Sequence, residues 1–149
     1  MSGDADMIKL YSQRILALSA EIPHLERLSA PQATAKKRSP LCGSTVTVDL
    51  TLKDGRIAEY GQDVKACALG QASAAISGKV IIGRNRDEIA SAHHQLTAML
   101  KSDGPLPEAP FDGYDVLQPA KDFKNRHASI LLTLDATLDA FDKALELAA

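Results

Sequence analysis

Aromatic side chains are scarce in this sequence of 149 residues, because Trp is absent and aromatic residues make up only 4%. So few rings argue against a surface that binds nucleic acid by stacking on its bases. Neither sign of charge is in large excess, since the net charge is −2 at pH 7. A nearly balanced charge gives no overall attraction for nucleic acid or for an anionic membrane.

Long hydrophobic runs are also missing. The acidic N-terminus, residues 1–6, is not followed by an apolar segment of the length that a signal peptide or a membrane span requires. We therefore expect a cytoplasmic protein, in which the two cysteines are reduced rather than joined in a disulfide. With 45% hydrophobic and 24% charged residues, the chain is expected to form one globular domain over residues 1–149.

Apolar residues recur at helical spacing in four segments, which we interpret as α-helices. They are residues 5–20, 68–82, 87–100 and the stretch from Arg126 nearly to the end. Between the last two, residues 102–113 are rich in Gly and Pro and indicate a loop, and residues 115–121 indicate a short helical turn. Adjacent helical side chains diverge by about 100°, so we expect His93 and His94 to be surface or face-edge residues rather than a metal site.

An alternating pattern predicts a strand before the second helix. Its apolar members alternate with Thr, Asp and Lys, and they are Val46, Val48, Leu50 and Leu52. The following Asp54-Gly55 pair is a strong hairpin signal and predicts a returning strand over residues 56–61. A third strand is expected over residues 62–66. The sequence thus predicts an α+β fold, with a small three-stranded antiparallel sheet covered by several α-helices.

Residues 32–40, before the first predicted strand, are interpreted as a loop. This segment contains the basic run Lys36-Lys37-Arg38. Two interpretations of the run stay open, a solvated face or a docking patch for an acidic partner.

Candidate chemistry is confined to four positions, namely Cys42, Ser44, Cys67 and His127. Cys67 comes just before a predicted helix, whose N-terminal positive dipole favours the thiolate that binds metal or attacks sulfur. Equally, a lone Cys can serve as a small buried hydrophobe. Two thiolates and an imidazole suit zinc or an iron–sulfur cluster, although the set is one ligand short and lacks Cys-x-x-Cys spacing. We find no motif for a Ser-His-Asp triad and no phosphate-binding glycine loop.

Three blocks of the sequence resemble the U-type iron–sulfur assembly scaffolds, which include IscU, SufU and the N-terminal domain of NifU. The blocks are Pro40-Leu41-Cys42-Gly43-Ser44, Cys67-Ala68-Leu69-Gly70-Gln71-Ala72-Ser73-Ala74-Ala75 and Arg126-His127-Ala128-Ser129-Ile130-Leu131. They look like the family's Pro-x-Cys-Gly-Asp motif, its Gly-Cys block and its final block, in which His or Lys precedes Cys. The similarity extends from about Tyr11 to Phe141, and the Pro-rich loop before the last block is more similar to the SufU branch.

The resemblance implies a SufU/IscU-like fold and a scaffold or carrier that is not an enzyme. Such a protein accepts sulfur from a cysteine desulfurase, holds a labile cluster or metal, and delivers it to recipient iron–sulfur apoproteins. The residues that carry over as ligands of an iron–sulfur cluster or zinc are Cys42, Cys67 and His127, with Ser44 as a weak ligand.

Two departures from the family pattern change these expectations. The family's third Cys falls at Ala128, which cannot bind metal, and its Asp falls at Ser44. One chain is therefore expected to hold metal weakly, whereas a homodimer would supply four thiolates to one [2Fe–2S] cluster. An alternative is a metal-free interaction or regulatory protein of cluster assembly that kept the scaffold fold. A third reading is a thiol enzyme in which Cys42 and Cys67 form a redox pair.

Overall fold

The computed structural model describes residues 12–40 and 43–148. Its elements in chain order are α1 (Gln13–Ala20), β1 (Ala33–Arg38), β2 (Thr45–Lys53), β3 (Arg56–Lys65), α2 (Ala68–Gly78), α3 (Arg86–Lys101), a 3₁₀ helix (Phe111–Asp122) and α4 (Lys124–Ala148). The predicted α+β fold is confirmed, as are the second, third and fourth helices. The part of the first predicted helix that precedes residue 12 lies outside the described residues. The short turn predicted at 115–121 belongs to the longer 3₁₀ helix.

The three strands form one antiparallel sheet in the order β1-β2-β3. The predicted hairpin is confirmed, since Asp54 and Gly55 both have the positive φ angles, 55° and 75°, that favour such two-residue turns. A bulge interrupts the register of β2 and β3 between Thr51 and Leu52. The sheet therefore has two edge strands, β1 and β3, on either side of the most apolar strand.

Two sequence predictions about the strands are wrong. Residues 32–40 do not form a loop, because Ala33–Arg38 pairs with β2 and supplies the third strand. Its Ala-rich, basic sequence has little intrinsic strand preference, so pairing and packing determine its conformation. Residues 62–66 do not form a separate strand either, because β3 continues through Gly61 to Lys65.

Gly61 does not break β3; instead, it allows another segment to cross the sheet. A Cβ atom at this position would lie 2.5 Å from the carbonyl oxygen of Glu26 and 3.2 Å from the backbone nitrogen of Leu28. The connection between α1 and β1 thus lies against the sheet face that points away from the core, which we call the outer face. Only Gly permits backbone to approach a strand so closely.

Asp49 fixes this crossing segment to the middle of the outer face. Its side chain is fully buried and accepts hydrogen bonds from Arg27 (Nε, 2.6 Å), the Leu28 N–H (3.1 Å) and Thr34 Oγ1 (2.6 Å). Burial alone would raise the pKa of Asp49, but the bonds from Arg27, Thr34 and Leu28 outweigh burial and lower it. The carboxylate therefore joins its own strand β2 and the edge strand β1 to the crossing segment.

The other face of the sheet carries the core, which α4 covers. Val46, Val48 and Leu50 of β2 point to this side and are buried, as the alternating pattern predicts. From α4 the buried apolar residues are Ile130, Leu131, Leu132, Leu134, Ala136, Ala140, Phe141 and Ala144. Leu145 is 42% exposed because α4 extends beyond the core near its end. Helix α4 thus packs on β1, β2, α2 and α3.

Candidate functional site

The connection between β1 and β2 forms one side of the candidate site. Two backbone hydrogen bonds join its two ends. The Ser39 N–H donates to the Ser44 carbonyl (2.8 Å), and the Gly43 N–H donates to the Ser39 carbonyl (2.9 Å). Gly43 has a φ of 71°, a conformation that favours Gly. Cys42 lies outside the described residues and is joined to Gly43 by one peptide bond. The predicted role of Cys42 therefore stays a prediction.

Cys67 lies where the sheet ends and α2 begins. It is the N-cap residue of α2, with extended backbone (φ −67°, ψ 172°) and a side chain that makes no capping hydrogen bond. Its carbonyl accepts the first helical bond, from the Gln71 N–H at 2.9 Å. The thiol is half-buried against the core. This placement matches the position that the sequence predicts, at the positive end of a helix dipole.

Ser129 links Cys67 to the β1–β2 connection. Its Oγ atom lies 3.6 Å from Cys67 Sγ and 3.2 Å from Ser44 Oγ. Ser44 and Ser129 are both buried. Residues that are 62 and 85 positions apart in sequence are thereby brought into one hydrogen-bonded row. We call Ser44, Ser129 and Cys67 the serine–thiol row.

Gly70 explains why α2 and α4 approach closely enough to form this row. A Cβ atom at Gly70 would lie 2.6 Å from Ser129 Oγ and 2.8 Å from Ala66 Cβ. Both distances are shorter than real Cβ contacts, so any larger residue would push α2 away from α4. Gly is unfavourable inside a helix by roughly 1 kcal/mol relative to Ala, and here the close approach gives it a function.

His127 is buried, but it extends from α4 in another direction. It is 3% exposed, and its Nε2 lies 2.9 Å from the carbonyl oxygen of Ala120 in the 3₁₀ helix. A carbonyl only accepts, so Nε2 carries the hydrogen and Nδ1 is the nitrogen that could bind a metal. Side chains two residues apart on a helix diverge by about 200°, so His127 and Ser129 lie on nearly opposite sides of α4. The His127 side chain is therefore buried against the 3₁₀ helix and does not belong to the serine–thiol row.

Thiolates, imidazoles and carboxylates do not cluster within residues 12–40 and 43–148, where no three of them are placed to hold a metal ion. Ala128, between His127 and Ser129, contributes only a methyl group. The donors beside Cys67 are the hydroxyls of Ser44 and Ser129, which suit a hydrogen bond to sulfur better than ligation of a soft metal. The ligand roles predicted for Cys67, His127 and Ser44 therefore stay predictions.

The two surface histidines behave as the helical spacing predicts. His94 is exposed, and His93 is half-buried with its Nε2 2.6 Å from Asp135 Oδ1 on α4. They do not form a joint site. None of the helices in the part of the chain that the structure describes is long and apolar enough to cross a membrane.

Ser129 and Gly70 are the site residues that sequence reasoning missed. Both stand inside the blocks that carry the family resemblance, but neither has a side chain that normally binds metal. Two features of the sequence could have indicated them. Gly70 is a Gly within a predicted helix, and Ser129 follows Ala128, the position at which the family's third Cys is replaced.

The architecture defines a class of small α+β proteins with a three-stranded sheet, a Cys at the sheet-to-helix junction and a long C-terminal helix. A scan against protein-family models and a search of curated proteins gave no match. A crystal structure of a nitrogen-fixing NifU-like protein (N-terminal) from Brucella abortus is 40% identical, with a TM-score of 0.91 over 95% of this chain and 98% of that one. The chain therefore belongs to the U-type scaffold family, that of the NifU-like N-terminal domains.

Two further structures share the fold at lower identity. One, from Fervidobacterium islandicum AW-1, is described as an iron–sulfur cluster assembly scaffold protein for the SUF system; it is 18% identical, with a TM-score of 0.78 over 90% of this chain and 98% of that one. The other is described as a hypothetical protein; it is 17% identical, with a TM-score of 0.80 over 91% of this chain and 98% of that one. Both similarities support the fold.

Proposed function

We propose that this protein is a scaffold or carrier for iron–sulfur cluster assembly rather than an enzyme. It accepts sulfur from a cysteine desulfurase, holds a labile cluster as cargo, and passes it to recipient apoproteins in the cytoplasm. Family membership supports this role. The serine–thiol row indicates which residues would perform it. The row joins all three sequence blocks at one end of the sheet.

Cys67 is the proposed sulfur acceptor. Its thiolate attacks the terminal sulfur of the desulfurase's cysteine persulfide, so that Cys67 becomes the persulfide and the desulfurase's cysteine leaves as thiolate. The half-buried sulfur is partly accessible to such a partner, and Ser129 Oγ at 3.6 Å is in position to donate a hydrogen bond to it. Cys67 therefore combines limited access with a fixed orientation.

Cys42 and Cys67 are the proposed thiolate ligands of the cluster. Cys42 is bonded to Gly43, and the next residue, Ser44, contacts the same serine that contacts Cys67. Ser44 would ligate weakly through its hydroxyl. Nδ1 of His127 would ligate only after the start of α4 rearranges, because His127 lies on nearly the opposite side of this helix from Ser129. Because two thiolates are half of the usual set for a [2Fe–2S] cluster, we propose that two chains share one cluster. Zinc is the second metal that this donor set would take.

A metal-free interaction protein is the second candidate. It is favoured by Ala128 and by the hydroxyl pair Ser44 and Ser129, which supply no strong metal ligand beside Cys67. Such a protein would keep the surface that binds the desulfurase and would regulate assembly without holding a cluster.

Anaerobic reconstitution with iron, sulfide and a cysteine desulfurase tests both candidates. For the scaffold, we expect bound iron and sulfide with charge-transfer absorption, a dimer by size-exclusion chromatography, and loss of the cluster in Cys67→Ser. His94→Ala is the matched control, because this exposed side chain lies outside the site. If the native protein binds the desulfurase but holds neither cluster nor zinc, the interaction protein is the correct reading. A monomer with one cluster per chain would contradict the shared cluster.

A further inference from the structure

Residues 12–40 and 43–148 cover the outer face of the sheet only in part. The crossing segment lies over the row Thr34–Asp49–Gly61, where Arg27 and Leu28 bind Asp49. Beyond it, towards Cys67, two further rows of paired residues follow. These rows are Lys36–Thr47–Asp63 and Arg38–Thr45–Lys65.

Three exposed cations stand on this uncovered part of the face, namely Lys36, Arg38 and Lys65. Directly paired residues of antiparallel strands project to the same side, so the register places all three on the outer face. Arg38 and Lys65 lie on the two edge strands, so their backbones are two strand spacings apart, a distance of about 10 Å. We call these three residues the cationic rim.

The cationic rim makes no ion pair with any residue in the described part of the chain, and its nearest acidic neighbour by register is Asp63. Asp63 also acts on Arg27, whose pKa it helps to raise after the hydrogen bond and the charge of Asp49. One carboxylate near three cations leaves the surface positive, although the whole chain has a net charge of −2. None of the described acidic residues forms an ion pair with this local positive charge.

The acidic face of α4 shows the opposite situation. Asp135 contacts His93, Asp139 contacts Lys37 and Lys143, and Asp142 makes two bonds to Arg86. A second copy of this chain therefore offers the cationic rim few free carboxylates on that face.

The position of the cationic rim connects it to the site. Lys65 precedes Cys67 by two residues, and Arg38 directly precedes Ser39, at the base of the connection that contains Cys42. A partner bound to the cationic rim would lie at the end of the sheet where β3 leads into Cys67. Thr45 and Thr47 between the cations are half-exposed and leave the surface without aromatic rings. An acidic protein surface fits this arrangement better than nucleic acid, which usually requires a longer basic track.

We propose that the cationic rim binds an acidic surface of the cysteine desulfurase and directs it to Cys67. The inference rests on the proposed function and adds the docking surface, which family membership does not identify. Charged residues at the solvent-exposed edge of a protein–protein interface act mainly on the association rate and its salt dependence. The rim is therefore expected to accelerate the encounter more than it stabilises the complex.

Charge reversal at matched lysines tests the inference. Lys65 and Lys53 are both exposed, and both are the last residue of a strand, but Lys53 lies at the opposite end of the sheet. The association rate constant with the desulfurase of the same organism is measured at low and high salt. We expect Lys65→Glu and Arg38→Glu to lower the rate at low salt by about tenfold. High salt should remove most of this difference, and Lys53→Glu should have little effect.

The outcomes separate this inference from the proposed function. If the native protein binds the desulfurase and Lys65→Glu behaves like Lys53→Glu, the rim is not the docking surface, although the scaffold role stands. If the native protein does not bind the desulfurase, both the inference and the proposed sulfur donor fail. Binding of a duplex DNA probe that depends on the rim, without desulfurase binding, would assign the surface to nucleic acid instead. If a charge-reversal variant does not fold, the same rates are measured on the double variant Lys36→Gln with Lys65→Gln, which removes the two charges without reversing them.

Discussion

The sheet carries two polar clusters, and they are built from different bonds. Around Asp49 a buried carboxylate accepts charge-assisted and neutral bonds of 2.6 to 3.1 Å from three groups. In the serine–thiol row, neutral hydroxyls and a thiol lie 3.2 and 3.6 Å apart. Short charge-assisted bonds are roughly twice as strong as neutral ones. The Asp49 cluster is thus expected to stabilise the fold more than the serine–thiol row does.

Asp49→Asn should have the largest effect on stability. The substitution removes the charge while retaining the size, so Arg27 and Thr34 lose their strongest acceptor. We expect the free energy of unfolding to fall by about 3 kcal/mol, as for a broken buried ion pair. Urea unfolding measures the change.

Asp142→Asn is the matched control, because its pair with Arg86 has equally short bonds but is nearly half exposed. Its loss should cost about 1 kcal/mol or less. Equal losses in the two variants would show that the Asp49 cluster is no stronger than a surface ion pair.

The same carboxylate should make stability depend on pH. The pKa of Asp49 is lowered in the folded protein from an ordinary value of 3.8, so the unfolded chain binds its proton first as pH falls. Its contribution is complete above the ordinary value and is lost as pH falls through the lower folded value. We expect urea midpoints of the native protein to decline more than those of Asp49→Asn between neutral pH and about pH 3. Parallel curves would contradict this.

Gly70→Ala should disturb the serine–thiol row through packing. The added methyl group would meet Ser129 Oγ at 2.6 Å, so α2 or the Ser129 side chain has to move. We expect a loss of about 2 kcal/mol, typical of overpacking. Gly113→Ala serves as control, because the nearest atom to its Cβ would be Ile76 Cγ2 at 3.3 Å. Ser129→Ala introduced together with Gly70→Ala should restore part of the stability.

Ala128→Cys should strengthen metal binding if the family's third ligand position is the one that this chain has lost. The half-buried methyl group lies between His127 and Ser129 at the start of α4. We expect purified protein to retain about one zinc per chain, as a third thiolate approaches the usual tetrahedral set. Ala90→Cys adds a thiol on α3, away from the site, and should leave the zinc content unchanged. Equal zinc in both variants would mean that residue 128 is not a ligand position.

Sequence patterns predicted the parts of the fold in which each segment carries its own signal. The alternation in β2, the Asp54-Gly55 turn and the helical spacing of α3 and α4 are local, so the structure confirms them. Strand β1 was missed because Ala33 and Ala35 have little strand preference and form a strand only through pairing with β2. The returning strand was predicted to end at Gly61, and the reason for a Gly inside β3 was not visible, because the segment that Gly61 accommodates lies over 30 residues earlier in the chain.

The candidate site shows the same division between local and long-range information. Cys67 and its place before a helix could be predicted from neighbouring residues. The contacts of Ser129 with Ser44 and Cys67 could not, because they depend on how α2 and α4 pack. Burial of His127 was predictable from its place on α4, but its bond to Ala120 depends on a 3₁₀ helix that was expected to be only a short turn.

Ser129→Ala should affect stability least and therefore isolates the role of the row. Removing one neutral hydroxyl that contacts Ser44 and Cys67 should cost about 1 kcal/mol. Because a hydrogen bond to a ligand sulfur supports the cluster that it holds, the half-life of a reconstituted cluster should shorten beyond what this small loss explains. Ser91→Ala, at an exposed Ser on α3, is the control. Unchanged cluster lifetime in Ser129→Ala would show that the row holds the helices together without acting on the sulfur.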